Sequence, residues 1–267
     1  MAKVHFIGAG QMAEAIIRAS LARKTLSADR ISIEDIDPAR IETVSQTYRL
    51  STAQDAADAL AQADLVVIGV RPQDDLSAVA QRINQHAAAH STIVSIVAGV
   101  TLAQLASLLD ASRAIARVIP NTLTDTGYGY SGVTLNAHAR AENIEDFLSG
   151  FGKFLYLEER LLDVFTGFGV AGPNYIYYFI ESLTDAGVLA GLPRAQATQV
   201  VLENLVGAAE MLKISKKHPR QLLDINNSPA GVGMHGLFEL NNSDFAAGLQ
   251  RSVLAAVKRT TELANVR

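Results

Sequence analysis

The sequence predicts an α/β Rossmann N-terminal domain followed by an all-α C-terminal dimerisation domain. Three observations predict it. Short β-branched runs alternate with alanine-rich amphipathic stretches through the first half of the chain. A Gly-x-Gly-x-x-Ala turn, within "FIGAGQMAEA" at residues 6–15, joins the first run to the first amphipathic stretch. Strand signals then cease, and residues 172–191 form a long apolar helix with few charges anywhere on its circumference. A βαβ alternation builds a doubly wound sheet, and a helix apolar all round is buried. In an all-α segment this small, the covering surface is a second subunit. Domain limits of 1–158 and 159–267 follow.

In chain order, residues 4–7, 31–33, 65–70, 93–97 and 114–119 read as buried parallel strands, being continuous apolar runs rather than alternating ones. The segments 11–24, 38–47, 53–62, 74–88 and 102–110 read as the helices between them, with Ser51-Thr52 and Thr101 at N-cap positions. Two weaker runs, 132–135 and 153–157, extend the sheet at its edge. In the second half, Pro173 fits the first turn of the 172–191 helix, Gly191 its C-terminal cap, and Pro193 the start of the next helix. Further helices cover 218–225, 230–240 and 243–265.

Composition removes several classes of function. Of 267 residues, 49% are hydrophobic, enough for a sizeable core. The net charge of −4 gives no basic field for nucleic acid or an anionic membrane surface. The chain has no cysteine, which excludes disulfides, thiolate catalysis and thiolate-bound metals. His5, His86, His90, His138, His218 and His235 lack metal-site spacing, so no metal is expected. No apolar run approaches the ~20 residues of a membrane helix, and the N-terminus lacks the plan of a signal peptide, so a cytoplasmic location is expected.

The glycine turn carries the first chemical reading. Gly8 permits the tight turn, Gly10 lets the backbone approach a pyrophosphate, and Ala13 lets helix and strand pack closely. Gln11 and Met12 open the helix whose N-terminus would face the phosphates. The same spacing also makes a plain tight turn in a nucleotide-free α/β protein. Asp35, 25 residues after Gly10, stands where an acid grips the adenosine ribose hydroxyls. The next residues are Ile36 and Asp37 rather than Arg or Lys. Two like charges 4 Å apart repel by about 1 kcal/mol in water and about 4 kcal/mol at intermediate dielectric. NADH is therefore the expected cofactor, with NADPH possible. Glu34 is expected to face solvent, and Asp35 and Asp37 also fit a simple turn into the helix at Pro38.

The blocks "FIGAGQMAEAI", "GVRPQD" (69–74), "VSIVAGVTLAQL" (94–105), "ARVIPNT" (116–122), "GPNYIYYFIESLTDAGVLAGLPRAQA" (172–197) and "NSPAG" (227–231) resemble the pyrroline-5-carboxylate reductase family along essentially the whole chain. The resemblance implies reduction of a five-membered cyclic imine bearing a carboxylate to proline by NADPH or NADH, in a homodimer or larger homo-oligomer interlocked through the helical domain. It places Val70, Arg71 and Pro72 beside the cofactor, Ala98 and Asn121 close to the nicotinamide, and Tyr175 nearest the substrate. Asn121 also fits a plain turn residue between Pro120 and Thr122.

The sequence departs from the family in the substrate loop. Where the family usually has Ser-Pro-Gly-Gly-Thr-Thr, this chain has Ser228, Pro229, Ala230, Gly231, Val232 and Gly233. Both threonine hydroxyls are gone, including the one the resemblance places on the imine nitrogen. The loop before the long helix reads Gly169-Val170-Ala171-Gly172-Pro173-Asn174-Tyr175, without the family's serines. A site stripped of polar partners changes its discrimination, so a bulkier or less polar cyclic imine is expected. His235, two residues after that loop, is the candidate proton donor, and it also fits a helix-capping or solvent-facing role. Glu181 and Asp185, four apart on one helix face, are expected to meet a basic group. The sequence admits two other readings. A hydroxy-acid dehydrogenase would need a lysine on the 172–191 helix, which has none. A non-catalytic nucleotide-binding regulatory protein of the same fold would tolerate the lost hydroxyls.

Overall fold

The computed structural model describes residues 1–50, 55–71 and 73–265. The chain divides into two compact units, Met1–Ala171 with Ala256–Arg267, and Gly172–Ala255. In the first unit the strands are β1 (Val4–Ile7), β2 (Ile31–Glu34), β3 (Leu65–Ile68), β4 (Thr92–Ser95), β5 (Ala114–Pro120), β6 (Tyr130–Leu135) and β7 (Lys153–Tyr156). They form one sheet in the order β2-β1-β3-β4-β5-β6-β7. The first five are parallel, β6 runs antiparallel to β5, and β7 pairs parallel with β6. β1, β3 and β4 are buried at every position, as continuous apolar strands covered on both faces must be.

The helices of this unit are α1 (Gln11–Ala22), α2 (Pro38–Tyr48), α3 (Ala56–Gln62), α4 (Leu76–His86), α5 (Leu102–Leu108), α6 (Glu145–Ser149) and α7 (Leu162–Phe165). One core holds Phe6, Ile16, Ile17, Phe147 and Phe151, and a second, on the other face, joins Ile7, Val66 and Ile68 to Ala80 and Ile83 of α4. Local chemistry sets the helix starts. Thr101 and Gln104 form a reciprocal capping box on α5. Asp37 caps α2 ahead of Pro38, and Asp55 caps α3. Ser51 and Thr52 lie outside the described residues.

The sheet-bearing unit runs on to Ala171, and a buried arginine accounts for this. Arg117 of β5 is 2% exposed and pairs with Glu159 at 3.2 Å and Asp163 at 3.6 Å. Glu159 also accepts the Leu102 N–H at the start of α5. These bonds tie residues 159–163 to the sheet, and the π-helical turn Thr166–Val170 follows α7 directly.

The second unit contains α8 (Gly172–Leu189), α9 (Arg194–Ser215), α10 (Pro219–Ile225), α11 (Val232–Asn241) and the start of α12 (Phe245–Asn265). α8 and α9 pair through a close approach at Gly187, where a Cβ would lie 3.0 Å from that of Ala197. Arg194 bridges Glu181 and Asp185 at 3.2 and 2.5 Å, so the basic group expected opposite that pair belongs to the chain itself. Large apolar side chains stay uncovered within the chain: Leu189 is 91% exposed and Tyr178 78%.

Replacing Arg117 by Met should destabilise the protein by about 2–4 kcal/mol in urea unfolding. Glu159 and Asp163 remain partly hydrated, which keeps the loss toward the lower end of that for a broken buried pair.

Candidate functional site

The β1–α1 turn is pressed between its neighbours. The Gly8 N–H donates to the Glu34 carbonyl at 2.8 Å, and the Gly69 N–H donates to the Ile7 carbonyl at 2.8 Å. Gly8 has φ +98°, and a Cβ there would stand 2.7 Å from the Gly69 carbonyl oxygen. Only glycine meets both demands. At Gly10 a Cβ would meet nothing within 4 Å. The protein's own packing does not require that glycine, and its open side suits a ligand that approaches the backbone closely. Ala13 is buried beneath the turn, and a Cβ at Gly69 would lie 3.6 Å from its own.

Two charged side chains fix the turn. The Asp35 carboxylate accepts the Ala9 N–H at 2.8 Å and, through its other oxygen, the Asp37 N–H at 3.0 Å. The Arg40 Nε donates to the Ala9 carbonyl at 2.6 Å. Arg40 also pairs with Glu14, which accepts the Tyr48 hydroxyl at 2.9 Å. Thus α1 and α2 are joined around the glycine turn. α1 begins at Gly10 without a side-chain cap, so the N–H groups of its first turn are free to bind an anion.

A cavity of about 620 Å³ opens at this turn, where the strand order reverses about β1 and β3. Ligands in open α/β sheets bind in that position. Gly8, Gly10, Gln11, Asp35, Val70 and Arg71 line it. Met12 packs against the core beside Ala13. Ala98, in the loop after β4, is exposed. Pro72 lies outside the described residues. Asn121 is buried and serves the backbone: its Oδ1 accepts the Leu123 and Tyr130 N–H groups at 3.2 and 3.1 Å, and its Nδ2 donates to the Gly169 carbonyl at 3.5 Å.

Glu34 does not face solvent as the sequence led us to expect. Its side chain is 13% exposed and pairs with Arg82 of α4 at 2.5 Å and with His5 of β1 at 3.6 Å. Burial pushes the Glu34 carboxyl up, but the hydrogen bonds and charges of His5 and Arg82 outweigh it and hold the group below its ordinary value. Three arginines, Arg40, Arg71 and Arg82, border the cavity. Arg40 and Arg82 went unnoticed in the sequence because their partners lie 26 and 48 residues away.

In the second unit, Tyr175 lies in the first turn of α8 and is half-buried. Ser228 to Gly231 form a turn closed by the Gly231 N–H on the Ser228 carbonyl at 3.0 Å. Ala230 adopts φ +57°, a left-handed conformation that favours glycine. Val232 begins α11 and is 94% exposed. A side chain at Gly233 would collide with the Asn227 Oδ1. His235 follows on α11 and is exposed. Among the described residues no His, Asp or Glu cluster could hold a metal ion, and no helix is long and apolar enough to cross a membrane.

Residues 159–263 match the family profile described as pyrroline-5-carboxylate reductase dimerisation, and residues 3–99 match that described as NADP oxidoreductase, coenzyme F420-dependent. The pyrroline-5-carboxylate reductase of Arabidopsis thaliana is 34% identical over 98% of this chain and 95% of its own length. That of Escherichia coli (strain K12) is 30% identical over 98% of both chains. The crystal structure of Plasmodium falciparum pyrroline carboxylate reductase with NADP bound is 26% identical, with a TM-score of 0.85 over 98% of both chains. The 1-pyrroline-5-carboxylate reductase of Streptococcus pyogenes is 29% identical, with a TM-score of 0.81 over 100% of this chain and 99% of that one.

The Glu34 pairing predicts a pH dependence of stability. Its folded-state pKa lies below the ordinary value of 4.5, so its contribution is complete above that value and is lost as pH falls through the folded one. Wild type should be more stable than Glu34→Gln at neutral pH. The difference in urea midpoint should shrink as pH is lowered from 6 through the carboxylate range, to about pH 3.

Proposed function

The chain belongs to the pyrroline-5-carboxylate reductase family, and from that premise we propose that it reduces a carboxylate-bearing five-membered cyclic imine with a nicotinamide cofactor held at the Gly8–Ala13 turn. It is an NAD(P)H-dependent oxidoreductase acting on a C=N bond. The observation that carries the site assignment is the turn itself: Gly8 is demanded by the protein, whereas the space beside Gly10 is left open over the cavity.

When bound, the reduced nicotinamide supplies a hydride to the imine carbon; the π electron pair moves to nitrogen, which ends protonated as the amine. The chain's residues bind and orient. The first turn of α1, with Gln11 and Met12, offers N–H groups to the pyrophosphate. Val70 and Arg71 border the cofactor, a role the family resemblance alone implies for Pro72, and Ala98 and Asn121 stand near the nicotinamide. Asn121 acts by holding the backbone of 121–130 in shape. Tyr175 and the loop of Ser228, Ala230, Gly231, Val232 and Gly233 take the substrate, and His235 is the proton donor.

The loop favours a second reading of the substrate. Val232 and Gly233 offer no side-chain hydroxyl, and a missing hydrogen bond to a charged group costs roughly 1.5–3 kcal/mol. Realised in the transition state, this is about one to two decades in rate. Purified protein given NADH and a panel of cyclic imines should therefore turn over pyrroline-5-carboxylate slowly and a bulkier or less polar imine faster. Ordinary efficiency on pyrroline-5-carboxylate would leave plain proline biosynthesis standing. No oxidation of NADH or NADPH with any imine would remove the enzyme reading.

NADH should be preferred over NADPH. Asp35 supports this, as does the pairing of each cavity arginine with an acid: Arg40 with Glu14, Arg71 with Asp74 and Arg82 with Glu34. Replacing Asp35 by Ser and Ile36 by Arg should shift the affinity ratio toward NADPH in equilibrium titrations. Both affinities will fall together to some degree, since Asp35 also holds the Ala9 and Asp37 N–H groups. Comparable wild-type affinities for the two cofactors would defeat the claim.

A homodimer or larger homo-oligomer through the helical domain is supported by the exposed apolar residues of α8 and α9, Leu189 and Ile214 among them. Light scattering at micromolar protein should give at least twice the chain mass. A natively helical monomer would show otherwise.

A further inference from the structure

Asp35 is the acid the turn motif points to, yet both of its oxygens already accept backbone N–H groups, from Ala9 and from Asp37. Glu34 is differently placed. It ends β2 in register with Ile7, and Ile7 shares a core with Ala80 and Ile83 of α4. From the same helix, Arg82 reaches back and donates through Nη2 to Glu34 Oε2 at 2.5 Å. His5 Nε2 lies 3.6 Å from that oxygen, with its Nδ1 2.8 Å from the Ser32 hydroxyl. Glu34 Oε1 is buried and has no hydrogen-bond partner within the protein, and Glu34 lines the cavity wall.

The other two arginines of that wall are committed elsewhere. Arg40 serves the Ala9 carbonyl and Glu14, and so holds the turn together. Arg71 closes a local loop with Asp74 at 3.1 Å. Arg82 is committed instead to Glu34, an acid of the same cavity wall. Its side chain is 45% exposed, it borders the cavity, and Glu34 is the acid that engages it.

We infer that Glu34 and Arg82 form a latch that sets which nicotinamide cofactor the protein accepts. While Glu34 neutralises Arg82, a 2′-phosphate arriving on the adenosine ribose meets an occupied guanidinium and a carboxylate. Without the Glu34 charge, the same guanidinium becomes a phosphate ligand, a role that suits arginine's planar fork. The inference rests on the cavity being the adenosine half of the cofactor site. It differs from the Asp35 argument in naming the cation as well as the acid.

The test uses the full-length protein and equilibrium titration with NADH, NADPH and adenosine 2′,5′-bisphosphate, with no imine present. Glu34→Gln keeps shape and an acceptor for Arg82 while removing the charge. It should raise the NADPH-to-NADH affinity ratio about tenfold, the scale of one new ion pair between the guanidinium and the phosphate at the surface. Adenosine 2′,5′-bisphosphate should tighten in parallel. In Glu34→Gln/Arg82→Met the ratio should return to within about twofold of wild type. An unmoved ratio in the single variant overturns the latch, as does a rise that survives in the double variant. If Glu34→Gln does not fold, Arg82→Met decides alone. It leaves the Glu34 charge uncompensated and should lower the ratio several-fold, and an unchanged ratio overturns the proposal. Equal wild-type affinities defeat only the NADH preference, and the shift on mutation still decides the latch. A wild type that binds none of the three probes removes the cofactor reading and the latch with it.

Discussion

The contact of Gly8 with Gly69 is the constraint on which the rest of the first unit depends. Two backbone turns, one after β1 and one after β3, meet so closely that a single Cβ would strike a carbonyl oxygen. The positive φ of Gly8 adds a second demand that only glycine meets. That meeting opens the cavity at the reversal of strand order and points the free first turn of α1 toward it. Asp35 and Arg40 then hold Ala9 from its two polar ends. The turn is held rigidly before any ligand arrives, which lowers the ordering cost of binding.

Charge is distributed around this turn in pairs. Glu14 with Arg40, Glu34 with Arg82, and Asp74 with Arg71 each place an acid against a base at the cavity wall. Pairs as exposed as Arg71 with Asp74 add little to stability. Glu34 is more deeply placed, and its contacts with His5 and Arg82 oppose the penalty that burial imposes. The cavity thus has many charges and few uncompensated ones, and small changes in pairing would alter what it attracts.

Much of this was legible in the sequence. All seven strands were expected within three residues of their observed ends, β1 to β5 as the continuous apolar runs of buried parallel strands and β6 and β7 as weaker runs at the sheet edge. The long helices were equally plain from their prolines and apolar faces. The short helices α6 and α7 and the π turn Thr166–Val170 were missed, being too short to show a period. The expected domain limit at 158 follows a local change of texture, and the dimerisation profile begins at residue 159. The compact unit runs on to Ala171, and Arg117 reaches residues 42 and 46 positions away (159 − 117; 163 − 117). The glycines and Asp35 were visible because their spacing is local. Glu34, Arg40 and Arg82 were not, since a long-range ion pair leaves no trace in neighbouring residues. Asn121 was named from a family block, but its two accepted backbone bonds had no local signal.

The strand order also sets a timetable. The glycine turn is made before its walls, which are residues 34, 35, 40 and 69. β1 can pair with β2 on one edge once residue 34 is made, but its other edge must wait for β3, which begins at Leu65. Synthesis runs at roughly 5–20 residues per second, so several seconds separate the appearance of Gly8 from that of its last neighbour. Throughout that interval the β3 edge of β1, which includes Phe6 and Ile7, lacks its partner strand. The segment of the nascent chain that would hold the cofactor is thus completed only when β3 arrives, and until then its open edge gives a chaperone reason to act.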